Sequence, residues 1–131
     1  MSWGLGKNSL YSAKKVDNYA IDATGGGLWT TTTTYKIVCP TGKRWVLIGG
    51  VINRGVSATV NVIVYNASDE PIQFLYYAAA STGTSGYPSS TNAGNGVPIL
   101  DVGEYVLATF GAAQNAASYM TCLVLEVPYP Q

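Results

Sequence analysis

The sequence predicts an all-β chain: a single antiparallel β-sandwich, jelly-roll-like, of seven to eight strands. Three observations predict it. Apolar residues come in short runs rich in Val, Ile, Thr and Tyr, the types that fit a pleated surface. Turn signals built on Gly, Pro, Asn and Asp separate these runs at the spacing of sandwiches and barrels. No stretch reads convincingly as a helix. At 131 residues the chain fits one domain, long enough to bury roughly 65–70% of its unfolded surface.

Residues 1–16 read as an N-terminal docking arm without firm period, with Trp3, Leu5, Leu10 and Tyr11 spaced along it. The sandwich domain is placed at 17–131. Tyr19-Ala-Ile-Asp is a short first strand ended by Gly25-Gly-Gly, and Leu28 to Cys39 is a second strand. Five consecutive threonines, Thr30 to Thr34, stiffen that strand by β-branching. Pro40-Thr-Gly turns the chain into a long strand, Lys43 to Asn53, and Arg54-Gly-Val-Ser turns it again. Ala58 to Asn66 alternates, with Val60, Val62 and Val64 on one face and Thr59, Asn61, Ile63 and Tyr65 on the other. After Ala67-Ser-Asp-Glu-Pro comes a strand from Ile72 to Ala79, then a long irregular loop, Ala80 to Gly96. Loops of that length within a domain are often functional. Val97 to Val102, Tyr105 to Gly111 and Ser118 to Val127 complete the strands. One long crossing loop and eight strands suit a jelly roll. An immunoglobulin-like sandwich is the alternative, but Trp45 follows Cys39 too closely for its Cys…Trp…Cys order.

Composition narrows the function classes. The chain has no histidine, so a Ser-His-Asp triad is unavailable. Asp69-Glu70 and Asp101…Glu104 fall at turns, where carboxylates are common, and their spacing does not specify a catalytic pair or a calcium loop. Gly25-Gly-Gly and Gly49-Gly50 lack phosphate-loop context; the second pair reads as a close-packing or bulge position. No catalytic residue, metal site or cofactor is expected. Seven basic and seven acidic residues give no net charge, which opposes nucleic-acid binding and favours self-association. Cys39 and Cys122 carry no metal spacing and read as buried thiols, with a bridge between them left open. No run reaches the roughly 18 apolar residues of a membrane span. Met1-Ser-Trp-Gly-Leu-Gly-Lys lacks the pattern of a secretory leader, so synthesis in a cytoplasm is expected.

Two strands look apolar on both faces. In 43–53, Trp45, Leu47 and Val51 are expected on one side and Val46, Ile48 and Ile52 on the other. In 118–127, Tyr119, Leu123, Leu125 and Val127 oppose Met120, Cys122 and Val124. A sandwich strand has one core face, so the second needs another cover. The arm residues Trp3, Leu5, Leu10 and Tyr11, together with Trp45, Val46, Ile48, Ile52, Tyr76 and Tyr77, are therefore expected at contacts between subunits. The alternative is a receptor- or carbohydrate-binding head using Tyr87, Asn92 and Asn95 of the long loop.

Pro40-Thr-Gly-Lys-Arg-Trp, leading into a long apolar strand, and Leu100-Asp-Val-Gly-Glu-Tyr-Val, followed by Phe110-Gly-Ala, carry a resemblance over about residues 35–128. The chain resembles small jelly-roll structural proteins of virus and phage particles, of the capsid-decoration, cement or fibre-base type. That resemblance implies a virion component made in a host cytoplasm. It implies a homo-oligomer, with a trimer favoured, and other capsid or appendage proteins as partners.

Overall fold

The computed structural model describes residues 12–17, 33–89, 96–115 and 117–128, the first six as backbone only. These residues are all-β and antiparallel, with no helix among them. The seven strands are β1 (Ser12–Asp17), β2 (Thr34–Val38), β3 (Lys43–Tyr65), β4 (Pro71–Tyr87), β5 (Ile99–Leu100), β6 (Tyr105–Phe110) and β7 (Tyr119–Pro128).

β3 is the hub. One edge of it carries β5 at Trp45–Val46 and then β4 from Gly50 to Tyr65. The other edge carries β7 along Lys43–Asn53 and then β6 along Val60–Tyr65. β1 lines the far side of β7, and β2 the far side of β6. The result is a long ribbon divided at β3 residues 54–58 into two half-sheets: β1-β7-β3 with β5 and the end of β4, and β2-β6-β3 with the start of β4.

The ribbon is doubled back on itself. Leu75 and Tyr87 lie in one strand, and twelve extended residues span about 40 Å. Yet the Ser89 amide donates to the Leu75 carbonyl at 3.0 Å. Both half-sheets thus turn one face into a single core. Trp45, Leu47, Ile52, Met120, Cys122 and Val124 enter it from the first, and Tyr35, Ile37, Val60, Val62, Val64, Val106 and Phe110 from the second.

At the bend the β3–β4 ladder lapses between Arg54 and Ala58, and side chains replace it. The Gln114 amide brackets Val56, accepting from its N–H at 3.4 Å and donating to its carbonyl at 3.3 Å. The Ser118 hydroxyl accepts from the Gly55 N–H at 3.0 Å and donates to Gln114 Oε1 at 2.9 Å. Arg54 is 3% exposed, and its Nη1 donates to the Ala58 and Ala79 carbonyls at 2.6 and 2.8 Å. Buried backbone groups left unpaired here would each cost about 1–3 kcal/mol, so these three residues hold the bend.

Several expectations are corrected. Strands 43–53 and 58–66 are one strand, because the Arg54-Gly-Val-Ser segment bends without reversing direction. The expected loop 80–96 gives its first part, Ala80–Tyr87, to β4. The expected arm 1–16 ends in a sheet strand, since Ser12–Asp17 pairs with Thr121–Glu126. Residues 1–11, the expected first strand at Tyr19, and residues 28–32 lie outside the described residues.

Candidate interaction surfaces

The outward face of the second half-sheet carries an apolar band bordered by polar residues. Register places its residues in three rows across β2, β6, β3 and β4: Val38-Tyr105-Tyr65-Pro71, Lys36-Leu107-Ile63-Phe74 and Thr34-Thr109-Asn61-Tyr77. Val60, Val62 and Val64 take the core side, so the alternating Ile63 and Tyr65 are forced outward. Tyr65 and Tyr105 stack with centroids 5.2 Å apart and planes 10° from parallel. Lys36 Nζ stands 4.4 Å from the centroid of the Tyr105 ring. The Tyr105 hydroxyl donates to Asp69 Oδ1 at 2.8 Å. Burial first, and then the Asp69 carboxylate, push that phenol up to about 12. Towards the β4 side the rings stand open: Phe74 is 41% and Tyr77 54% exposed.

The first half-sheet carries a smaller, aliphatic outer patch. Ile99, Val46 and Leu125 form one row, with Leu123 and Ile48 beside them. Ile48, Leu123, Ile99 and the neighbouring Val97 are 39–58% exposed. A row further on, Gly86 of β4 faces Val51. A Cβ added at Gly86 would meet the Gly50 carbonyl at 3.7 Å and otherwise open space. Beyond it the face turns polar, where Thr84 Oγ1 donates to Asn53 Oδ1 at 2.9 Å.

The residues singled out in the sequence divide between core and surface. Trp3, Leu5, Leu10, Tyr11, Asn92 and Asn95 lie outside the described residues. Val46 and Ile48 face outward, Tyr77 is exposed opposite Asn61, and Tyr76 sits half-buried opposite Val62 on the core side. Trp45 and Ile52 are corrected: they are 3% and 0% exposed and belong to the core. Trp45 shares the core parity of Leu47, and a bulge accounts for Ile52. Leu47 opposes Val124 and Gly49 opposes Leu123, so Ile48 is an extra residue that reverses the alternation after it. Trp45 further commits its indole N–H to Glu126 Oε2 at 2.8 Å.

Tyr87 is corrected as well. Its ring is 3% exposed, its hydroxyl donates to the Thr121 carbonyl, and it lies 3.0 Å from Cys122 Sγ. It therefore offers no ring for a sugar to stack on. Sequence reasoning missed Phe74, Leu107 and Val38 as outward apolar residues. The usable signal was the alternation already visible at Ile63 and Tyr65.

Chemically reactive groups are engaged elsewhere. Cys39 and Cys122 are free and buried. Burial pushes their thiols up to about 11 and about 12, so both stay protonated near neutrality. Asp101 pairs with Arg44 at 2.7 Å. Glu104 accepts from the Asp101 amide at 2.8 Å, and Glu70 accepts from the Asn66 side-chain amide at 2.9 Å. Among the described residues no three His, Cys, Asp or Glu side chains gather as a metal site, and no helix is long and apolar enough to cross a membrane. No family model, curated protein or solved structure matches the chain.

Proposed function

We propose that this chain is a non-enzymatic structural subunit of a virion that self-associates and decorates, cements or builds the capsid or an appendage. The observation that carries the reading is the outward face of β2-β6-β3-β4. A solvated sheet face normally alternates to polar residues. This one presents Phe74 and Tyr77 exposed, with Tyr65, Ile63 and Leu107 half-buried in adjoining rows around the covered Tyr105 ring. Tyr and Phe are enriched at protein interfaces and Lys and Glu depleted, and only 11% of the whole chain is charged. A jelly-roll sandwich is the finer fold we assign, because a long antiparallel ribbon is doubled over one core. In that reading the subunit forms a homo-oligomer, with a trimer favoured, and docks through Trp3, Leu5, Leu10 and Tyr11 onto a neighbour or other capsid proteins. Its place is the virion, and its synthesis is in the host cytoplasm.

Two measurements test this. Sedimentation at micromolar concentration is expected to give a three-chain mass; a stable monomer overturns self-association. Mass spectrometry of purified particles from the source is expected to find the chain in stoichiometric amount; its absence from them overturns the virion role.

A further inference from the structure

Two arginines, Arg44 and Arg54, sit on β3. A guanidinium presents its donors as a fork: Nε–H and one Nη2–H point the same way and match the two oxygens of a carboxylate. Arg44 uses that edge on Asp101, with Nε donating to Oδ1 at 2.7 Å and Nη2 to Oδ2 at 3.3 Å. Arg54 has the same edge and no protein group on it. Both of its hydrogen bonds leave from Nη1, to the Ala58 and Ala79 carbonyls at 2.6 and 2.8 Å. Among the described residues its Nε is buried without an acceptor, its Nη2 bonds none, and no carboxylate forms an ion pair with it.

Burial makes this the reverse of what charge requires. Arg44, the paired one, is only half-buried, whereas Arg54 is 3% exposed. A guanidinium stays protonated at any ordinary pH, so it cannot shed its charge as a buried lysine can. A buried charge needs an opposite charge as well as hydrogen bonds. Two carbonyls satisfy one nitrogen and supply no counter-charge.

We infer that the Nε–Nη2 edge of Arg54 is a binding site for a small carboxylate taken up from solution. The ligand accepts from both unused donors and balances the cation, as the Asp101 carboxylate does at Arg44. Its place is the bend of β3, where the β3–β4 ladder lapses between Arg54 and Ala58. The near-complete burial of Arg54 restricts it to an anion of the size of formate or acetate. The site is independent of self-association.

Formate is the probe. The thermal midpoint of the full chain is followed while sodium formate replaces sodium chloride at constant ionic strength. A ligand that binds only the folded state raises the midpoint with the logarithm of its concentration above the dissociation constant. The unsubstituted chain is expected to show that rise. Arg54→Lys keeps the charge and can donate to the two carbonyls, but an ammonium has no planar fork. It is expected to need about tenfold more formate for the same rise. Equal rises in the two chains would be a general salt effect and would overturn the site, as would no rise at all. A midpoint that follows protein concentration and not formate would mean that another copy supplies the carboxylate, and would overturn the small ligand. A second measurement needs no variant. The carbon-13 line of labelled formate is expected to broaden in the presence of the folded chain. Nitrate, also planar and trigonal, is expected to sharpen it again, while equal chloride leaves it broad. A line that never broadens, or that chloride sharpens as well as nitrate does, overturns the fork.

Discussion

The two halves of β3 solve the same problem differently. From Ala58 to Tyr65 the strand alternates without exception, valines inward and Thr59, Asn61, Ile63 and Tyr65 outward. From Lys43 to Asn53 the inward positions change parity, from Trp45 and Leu47 to Gly50 and Ile52, across the bulge at Ile48. The regular half buries β-branched side chains and turns the spare apolar residues to a broad outer face. The irregular half is packed by glycine. A Cβ on Gly50 would collide with the Thr121 carbonyl and the Tyr87 ring, so the strand lets Tyr87 and Cys122 come close only because that position is bare. Alternation thus creates surface, whereas the bulge creates tight fit.

The sharpest way to break this contrast is at Gly50. Gly50→Val is expected to abolish folding, seen as loss of soluble protein or of a cooperative denaturation curve, because a carbonyl and a ring both block the new side chain. Gly86→Val on the facing strand, where the space is open, is expected to change stability by less than about 1 kcal/mol. Equal tolerance at the two glycines would refute the tight-fit account.

Parity is tested next. Ile52→Ala is expected to cost about 2–5 kcal/mol in urea denaturation, while Ile48→Ala, at an exposed bulge, should stay within about 0.5 kcal/mol. The reverse ranking would put the bulge elsewhere.

The last contrast is a pH dependence, read at Cys122 in the irregular half. The Cys122 thiol is raised from 9.0 to about 12, by burial. Tyr87 is raised too, by burial and by Cys122 beside it. A group whose folded value is raised stabilises fully below its unfolded value, and the benefit fades as pH rises towards the folded one. The contribution of Cys122 should therefore be constant below about pH 9 and fall between about 9 and 12. Denaturation midpoints for the unsubstituted chain and Cys122→Ala should converge as pH climbs; parallel curves would count against a protonated buried thiol.

These contrasts also show what a linear sequence reveals. The all-β class and the strands around Val60–Val64, Tyr105 and Tyr119 were legible because β-branched residues and period-two alternation are local properties. The Tyr76–Tyr77 split across two faces was legible for the same reason. The bulge was not, since Gly49-Gly50 marks a special position without saying which neighbour gains the extra residue. Ile52 was misplaced for that reason. Tyr87 looked like a loop residue amid Gly, Ser and Thr. Its pairing to Gly50 makes it a strand end, and that partner lies far away in the chain. The bend at Arg54 resembled a turn because the groups that sustain it, Gln114 and Ser118, are supplied from the β6–β7 connection.

The placement of β3 as hub has a consequence for the order in which the chain can fold. Its first edge is covered by β4, which follows directly in sequence, so a long local hairpin can close early. Its second edge waits for β6 and β7, which follow β4 in the chain. At translation rates of roughly 5–20 residues per second, the 23-residue strand keeps one side unpaired until those later strands emerge. High local concentration during that interval is hazardous. An exposed strand edge of this length is a template for another chain. The same non-local pairing that delays completion makes release of β7 the step that would reopen half of the core.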